Sequence, residues 1–316
     1  MFQKFKSKLL WYRFGRVYTR NRYKENTSSR FYSFSKSVNI LEFNERKKYL
    51  QENKNLISNE KGFAVIPKNE ISTDSYNKSL LEIKDKFNKM NWSKEKYQKS
   101  FLMIEDMPFD HNIKNIVNIL LPYITSYIGS LPVLLSAGMW YSPNDEDHPG
   151  RSQSWHFDIE DLKQLKVLIP LEDITLDNGP LTVIDAKTSN QILKKLFLTK
   201  KIKTKSEKLS DEIIKQHTKT EVPLIANEGD VIFCDTANCY HYGSRKSSKP
   251  RRLLALHFSS AFCQDLPFLF RKFNKSKTYN NRKDELIYGI SDYYLPKLRK
   301  KLKVNSRSAI KSILFN

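Results

Sequence analysis

Two metal-binding side chains stand two positions apart in the middle of the chain, His156 and Asp158. His241 follows much later, and Arg251 and Arg252 then open an apolar run. Two histidines and one carboxylate can hold iron(II) on one face and leave the opposite face open for O2 and a co-substrate. The planar fork of an arginine can bind a dicarboxylate such as 2-oxoglutarate. These residue types therefore predict oxidative chemistry at an iron(II) centre.

The spacing of these residues fits a sheet. Side chains two apart on a strand point to the same face, so His156 and Asp158 can reach one ion from the same side. His241 lies 85 residues after His156 and must come from another strand. The His-x-Asp pair alone is a weak indication, because the chain has six histidines and a nearby aspartate is common. The order of the histidines, the aspartate and the arginines carries the prediction.

The elements that must position these residues are short strands. Apolar runs bounded by turn residues predict strands at 62–67, 133–141, 165–171, 181–184, 231–234 and 253–258. Helical spacing predicts a helix over 111–129 with a bend near Pro122, and residues 190–219 indicate a basic helical insertion. Many short strands with tight turns favour a mainly β fold with flanking helices, a sandwich or barrel of the jelly-roll kind.

Five segments resemble the phytanoyl-CoA dioxygenase family, namely residues 152–167, 177–184, 228–235, 241–244 and 249–253. The resemblance covers about residues 130–262. It implies a double-stranded β-helix and an iron(II)- and 2-oxoglutarate-dependent oxygenase, of hydroxylase type, that uses O2 and releases succinate and CO2. By this resemblance, the iron ligands are His156, Asp158 and His241, and Arg251 binds 2-oxoglutarate.

Asp158 also bears on the outcome of the reaction. Related halogenases carry a small residue in place of this carboxylate, so that chloride can occupy the iron site. An aspartate here favours hydroxylation, and halogenation is not expected.

Only one of the two neighbouring arginines can point into the site and bind the co-substrate, because neighbours on a strand point to opposite faces. Arg251 shares its face with the small Ala255, which leaves room for a ligand, whereas Arg252 shares a fully apolar face suited to packing. The resemblance aligns the family's arginine with Arg251, although the loop from His241 is one residue shorter than usual; Arg252 stays the alternative. Lys166, on an otherwise apolar strand, either pairs with a 2-oxoglutarate carboxylate or reaches solvent from a sheet edge.

Two departures from the family pattern concern the mouth of the site. After the Gly-Pro strand many relatives have Pro-Gly-Ser-His, whereas residues 185–188 of this chain are Asp-Ala-Lys-Thr. A Gly-Ser pair follows His241 one place later than in the family, at Gly243 and Ser244. Substrate preference is therefore expected to differ, and a serine contact to 2-oxoglutarate stays open.

The catalytic motifs occupy the middle of a chain of 316 residues that is 39% hydrophobic, enough for one full core. We expect a basic N-terminal tail at 1–35, an oxygenase domain at 36–270 and a basic C-terminal extension at 271–316. Within the domain, the β-helix core is expected at about 130–262, interrupted by the insertion at 190–219.

Positive charge is concentrated at the two ends of the chain. The net charge is +21; residues 1–24 carry eight Lys/Arg and no acid, and residues 271–316 carry thirteen against three acids. Such ends attract polyanions, whether anionic lipid, phosphorylated glycan or nucleic acid. A compositional bias toward lysine and asparagine is the competing explanation. We expect a small-molecule substrate that is anionic or membrane-associated, with peripheral membrane contact through the ends and nucleic acid as an open alternative.

The compartment is constrained by two features. No apolar run approaches the ~18 residues of a membrane span, and the apolar segment at 9–12 is too short for a signal peptide. Cys234, Cys239 and Cys263 lack disulfide-like or Cys-x-x-Cys spacing, which favours buried free thiols in a reducing compartment. We expect a cytoplasmic, membrane-peripheral protein; the acid-free N-terminus leaves organelle import open.

Two other functions fit parts of the pattern. The same fold could be a catalytically inactive binding module that its basic ends recruit to an anionic surface, and a lack of iron binding would favour it. A zinc hydrolase could use the same two histidines and aspartate. It would give Arg251 no purpose, and no general base is evident. The complete residue set therefore favours the oxygenase.

Overall fold

A computed structural model describes residues 40–50, 56–90, 92, 97–98, 101–105, 110–143, 151–158, 161, 163–205, 207–245, 247–261, 279 and 281–288. The expected N-terminal tail at 1–35 and Cys263 lie outside these residues. Of the expected C-terminal extension, only residues 279 and 281–288 lie within them.

In this part of the chain, ten strands form two antiparallel sheets. They are β1 Phe63–Ile66, β2 Tyr97–Gln98, β3 Phe101–Glu105, β4 Val133–Ser142, β5 Gln164–Pro170, β6 Thr182–Val183, β7 Val222–Pro223, β8 Val231–Cys234, β9 His241–Tyr242 and β10 Arg251–Ser259. The large sheet has the order β1-β8-β5-β10-β4-β3-β2, and the small sheet has the order β7-β6-β9. The mainly β fold and the six strands predicted from apolar runs are confirmed, whereas the predicted short strand at His156 and Asp158 is replaced by an isolated bridge from His156 to His241.

Helices flank the two sheets. They are α1 Ile40–Lys47, α2 Lys68–Ile71, α3 Asp74–Asn88, α4 His111–Ile128, α5 Ala186–Leu198, α6 Asp211–Lys215 and α7 Arg282–Tyr288. The predicted helix at 111–129 is α4, with Pro122 inside it. It begins where the Asp110 side chain accepts from the backbone N–H of Asn112, and it ends at Gly129, whose φ is 82°. A cap that favours left-handed backbone explains the glycine at this end.

Three apolar clusters separate the layers. The largest lies between α3, α4 and the outer face of the large sheet, where it includes Leu254 and Leu256. The second fills the space between the sheets, with Ala255 from the large sheet and Val183 from the small one. The third covers the outer face of the small sheet and contains Trp155. The two sheets therefore face each other across an apolar interior, as in a double-stranded β-helix.

The predicted insertion at 190–219 contains α5 and α6, but its first helix begins earlier. The Asp185 carboxylate accepts from the backbone N–H of Thr188 at 2.8 Å, a cap that starts α5 at Ala186. Ile192 and Leu196 of this helix then pack into the third cluster. The Asp-Ala-Lys-Thr sequence that departs from the family pattern is therefore the start of a helix that covers the small sheet.

Residues 282–288, within the expected C-terminal extension, pack onto the domain. This helix, α7, buries Leu286, Ile287 and Tyr288 in the largest cluster. Arg282 at its start pairs with Glu45 of α1 at 2.8 Å. Both ends of the described chain therefore meet on the same side of the large sheet.

The turn before β1 packs closely against the buried thiol of Cys239. Cys234 and Cys239 are both buried and free, as the sequence predicted. Gly62 has a φ of 76°, and a Cβ there would lie 2.6 Å from the Cys239 sulfur. Both the backbone conformation and the close approach therefore require glycine at this position.

None of the helices within the described ranges has both the length and the apolar character needed to cross a membrane.

Candidate metal centre

The segment that carries His156 and Asp158 alternates between two faces. Trp155 and Phe157 are buried in the third cluster, on the outer face of the small sheet. His156 and Asp158 therefore point the other way, toward the large sheet. The indole N–H of Trp155 donates to Asp211 of α6 at 2.9 Å, which anchors the segment to the insertion. The alternation of aromatic and ligand-type residues sets the direction of both candidate ligands.

His156 and His241 are joined through the backbone. The N–H of each residue donates to the carbonyl of the other at 3.1 Å, so the segment extends the small sheet beside β9. The two ring centroids lie 4.3 Å apart. One nitrogen of each ring and a carboxylate oxygen of Asp158 all lie within 4.8 Å of one another. The structure thus brings together the three residues that the sequence predicted as ligands.

Both imidazoles turn Nε2 toward Asp158. Nδ1 of His156 donates to the carbonyl of Ser154 at 2.7 Å, and Nδ1 of His241 donates to the carbonyl of Cys239 at 3.1 Å, because a carbonyl can only accept. Burial lowers the pKa of His156 and lowers the pKa of His241 to about 3. Both rings are therefore neutral near pH 7 and present the Nε2 lone pair, the form that binds a metal.

Asp158 is the anionic member of the group. Its Oδ1 lies 3.8 Å from Nε2 of His156, and its Oδ2 lies 3.8 Å from Nε2 of His241. Oδ2 also forms an ion pair with Nζ of Lys166 at 2.6 Å. Burial raises the pKa of this carboxyl, but the charge of Lys166 and its hydrogen bond to the carboxylate outweigh that effect, and the pKa lies well below its ordinary value. Asp158 is therefore ionised at neutral pH.

Lys166 reaches this group from the large sheet. It lies on β5, between β8 and β10, so it is not at a sheet edge. Its Nζ is 5.9 Å from the centroid of the Trp140 ring, on the face that looks toward the small sheet. The sequence left two alternatives for Lys166: an ion pair with a carboxylate of 2-oxoglutarate, or contact with solvent from an edge of the sheet. The partner in the structure is a third group, the carboxylate of Asp158.

A buried carboxylate supports this segment from behind. Asp235 accepts from the hydroxyl of Tyr127 at 2.7 Å and from the backbone N–H of Ala237 at 3.0 Å. The carbonyl of the next residue, Thr236, accepts from the backbone N–H of Asp158 at 2.9 Å. The turn at 235–240 therefore holds Asp158 and leads directly into His241. The sequence signal for Asp235 is an acid directly after a buried strand, which is too common a pattern to identify a functional residue.

Arg251 is buried at the start of β10 with its guanidinium in a polar cage. Nη1 donates to the carbonyl of Gly179 at 2.6 Å, and Nη2 donates to the hydroxyls of Ser244 at 2.6 Å and Ser142 at 3.4 Å. Burial lowers the pKa of Arg251 to about 10, so it remains charged at neutral pH. Among the described residues no carboxylate pairs with it, and its Nε lacks a hydrogen-bond partner. This buried cation therefore lacks a counter-ion from the described chain.

Ser244 holds the arginine in place through an uncommon backbone conformation. Its φ is 58°, in the left-handed region, and its backbone N–H donates to the carbonyl of Gly179 at 3.1 Å. Non-glycine residues in this region concentrate at functional sites, where the surrounding structure compensates the strain. The Gly-Ser pair that sits one place late in the sequence thus delivers a serine hydroxyl to Arg251.

Arg252 lies on the opposite face of β10. It pairs with Glu172 at 3.3 Å and lies 5.9 Å from the ring centroid of Phe87, outside the space between the sheets. The two arginines, which alternation alone had left as alternatives, therefore occupy different environments. Arg251 is the one that shares the interior face with Ala255.

These residues fit iron(II) and 2-oxoglutarate. Two neutral imidazole nitrogens and one ionised carboxylate are the donor set that non-haem iron(II) oxygenases use, and they leave further coordination positions open. A buried guanidinium without a carboxylate is costly on its own and is matched by an anionic ligand.

Known proteins resemble this chain in sequence and in structure. The family profile of phytanoyl-CoA dioxygenase matches residues 58–253. Solved structures with a similar fold include the epimerase SnoN in complex with Fe3+, alpha-ketoglutarate and nogalamycin RO, at 12% identity over 78% of this chain and 93% of that one, with a TM-score of 0.48. EctD from S. alaskensis with bound Fe matches at 16% identity over 66% and 79%, with a TM-score of 0.45. HygX from Streptomyces hygroscopicus, with nickel and 2-oxoglutarate bound, matches at 15% identity over 64% and 84%, with a TM-score of 0.43.

No curated protein matches the sequence of this chain. The family profile, however, spans more than half of its residues and includes the two histidines, the aspartate and both arginines. The chain therefore belongs to the phytanoyl-CoA dioxygenase family and is an iron(II)- and 2-oxoglutarate-dependent dioxygenase.

Proposed function

We propose that the protein hydroxylates a small-molecule substrate of the lipid or glycan type, with His156, Asp158 and His241 as the iron ligands. The observation that carries the proposal is the convergence of two neutral Nε2 atoms and one ionised carboxylate within 4.8 Å. We further propose that Arg251 binds the distal carboxylate of 2-oxoglutarate. Its support is the buried guanidinium that meets no carboxylate in the described chain.

When bound, iron(II) and 2-oxoglutarate supply the oxidising power of O2 for a C–H bond, with succinate and CO2 as products. The residues of the chain supply position. The carbonyls of Ser154 and Cys239 fix the tautomer and orientation of the two histidines, and the backbone contact to Thr236 fixes Asp158. A buried apolar interior between the sheets excludes water from the reacting atoms.

Asp158 supports hydroxylation as the outcome. Its carboxylate fills the position that chloride would need in a halogenase, and the backbone N–H of Asp158, which donates to the carbonyl of Thr236, fixes the residue there. The alternative of an inactive binding module is not favoured, because the complete ligand set and Arg251 are present.

The proposal is tested by replacing Asp158 with alanine. Loss of a ligand should weaken iron(II) binding and slow iron-dependent succinate formation by at least about a hundredfold, since even partners of ligands contribute 10–100-fold. Iron(II) affinity is measured without oxygen, and succinate is measured with 2-oxoglutarate and iron(II). Asp177→Ala is the matched control, because this half-exposed aspartate pairs with Lys249 at the surface. Wild-type iron affinity and turnover in Asp158→Ala would refute the ligand assignment.

A further inference from the structure

Lys166 and His257 lie directly opposite each other on β5 and β10, the two central strands of the large sheet. Cross-strand partners share a face, and His257 shares its face with Ala255 in the interior cluster. Lys166 already reaches Asp158 at 2.6 Å. The large sheet therefore presents a cation and an imidazole to the metal centre, opposite the two histidines of the small sheet.

The ring of His257 has an unused hydrogen-bonding atom. Its Nε2 is buried and meets no hydrogen-bond partner among the described residues. Buried polar atoms are normally paired, and an exception in a native structure points to a missing ligand, ion or water. Burial lowers the pKa of His257 to about 3, with Lys166 contributing in the same direction, so the ring is neutral and can donate one N–H. Neither of the proposed iron ligands on the small sheet satisfies this nitrogen.

We expect iron(II) bound at Asp158 to displace the ammonium of Lys166 from this carboxylate. A divalent cation at the same carboxylate repels it, because the two positive charges would stand within a few ångströms in a site of low dielectric constant. The side chain is long enough to turn away from Asp158 while it remains on the interior face. There it needs another anion.

The charges around the site favour an anion as well. With iron(II) and the dianion of 2-oxoglutarate bound, Asp158, Lys166 and Arg251 leave an excess of one positive charge. Lys208 also acts on His156 as a nearby positive charge. A buried excess charge is stabilised by a ligand of opposite sign.

We propose that Lys166 and His257 form the subsite for an oxyanion group of the substrate, a carboxylate or a phosphate, beside the metal centre. The subsite depends on the proposed function, because Lys166 is released by iron binding at Asp158. Trp140, with its ring 5.9 Å from Nζ, offers an apolar surface for the part of the substrate next to the charged group. The substrate class is therefore an amphipathic anion whose charged group lies near the oxidised carbon.

The experiment uses the full chain without oxygen, loaded with iron(II) and 2-oxoglutarate. The charge-transfer absorption of the iron(II)–2-oxoglutarate chelate reports separately on the proposed function. Hexanoate and inorganic phosphate are then titrated by calorimetry, and the tighter of the two identifies the oxyanion. We expect Lys166→Gln to weaken that binding by at least about tenfold and His257→Phe by several fold, with the chelate absorption retained, because each removes a donor to the anion.

Two further variants sharpen the result. Lys166→Arg keeps the positive charge and should keep most of the affinity. Lys84→Gln removes a lysine from another ion pair of 2.6 Å, with Glu228 on the outer face, and should leave anion binding unchanged. Thermal unfolding verifies that each variant is folded. If Lys166→Gln does not fold, anion binding by His257→Phe decides the question.

The proposal is overturned if the wild type forms the chelate but binds neither anion, or if Lys166→Gln binds the anion as the wild type does. It is also wrong if Lys166→Gln changes only iron(II) affinity, because Lys166 would then be a positioning residue for Asp158. If the chelate absorption never forms in the wild type, the proposed function fails, and the subsite fails with it.

Discussion

Replacing Arg251 with methionine should separate co-substrate binding from stability. In the structure this guanidinium is buried, three of its five N–H groups donate to Gly179, Ser244 and Ser142, and no carboxylate of the described chain pairs with it. Methionine fills a similar apolar volume without a charge. The substitution therefore removes the partner that we propose for 2-oxoglutarate. It also removes a buried charge that has no counter-ion in the described part of the chain.

The two effects have different magnitudes. Breaking a buried ion pair by removing one partner costs about 3 to 5 kcal/mol, so the Kd for 2-oxoglutarate should rise by roughly two to four orders of magnitude. Two effects on the free energy of unfolding oppose each other. Removal of the buried charge stabilises the fold, whereas the carbonyl of Gly179 and the hydroxyl of Ser244 each lose a hydrogen-bond donor, which destabilises it. The free energy of unfolding should therefore change by no more than about 2 kcal/mol.

The assay is a titration of 2-oxoglutarate into anaerobic, iron(II)-loaded protein, followed by the chelate absorption, with urea unfolding measured in parallel. Arg252→Met is the matched control on the same strand, because Arg252 faces outward and pairs with Glu172. It should leave the Kd within about twofold of the wild type, since a half-exposed ion pair contributes little. Wild-type affinity in Arg251→Met, or an equal loss in both variants, would refute the assignment.

Two further predictions concern the supports of the site. Asp235→Asn should lower the free energy of unfolding by about 1–3 kcal/mol and weaken iron(II) binding, because the amide cannot accept equally well from Tyr127 and the backbone; unchanged values in urea unfolding and iron titration would contradict this. Gly62→Ala should lower the free energy of unfolding by about 2–4 kcal/mol, since its Cβ would lie 2.6 Å from the sulfur of Cys239. Gly129→Ala is the control, because Gly129 has a similar φ of 82° but no atom within 4 Å of the added Cβ, and it should lower the free energy of unfolding by only about 1 kcal/mol. Equal losses in thermal unfolding would show that the close contact does not matter.

Local patterns were sufficient for the parts of the site that depend on alternation. Trp155 and Phe157 on one side of the segment predict that His156 and Asp158 point to the other, and the structure agrees. The same rule assigns the faces of β10, because Leu253 and Ala255 lie in the interior cluster, whereas Leu254 and Leu256 lie in the outer one. The mainly β fold follows from strand and turn signals of this kind.

Contacts between distant segments could not be predicted in this way. The partner of Lys166 depends on how β5 lies across the interior from the small sheet, and neither segment encodes that distance. The role of Asp235 likewise depends on a tyrosine of α4, 108 positions earlier in the chain. The helix at 282–288 begins with four charged residues of balanced sign, and which surface its three apolar residues at the end would bury was not evident, because the distant large sheet supplies that surface.

We expect that metal exchange at this centre does not require refolding. The reciprocal backbone hydrogen bonds of His156 and His241, together with the carbonyls that hold their Nδ1 atoms, orient both rings by contacts within the chain alone. In proteins whose metal site forms only on binding, the free energy of metal binding is also that of folding, and chelators unfold them. We therefore expect a chelator to remove the metal from this protein and leave it folded. The same protein can then be reloaded with cobalt(II) or manganese(II), so that the identity of the ion becomes an experimental variable independent of the folded state.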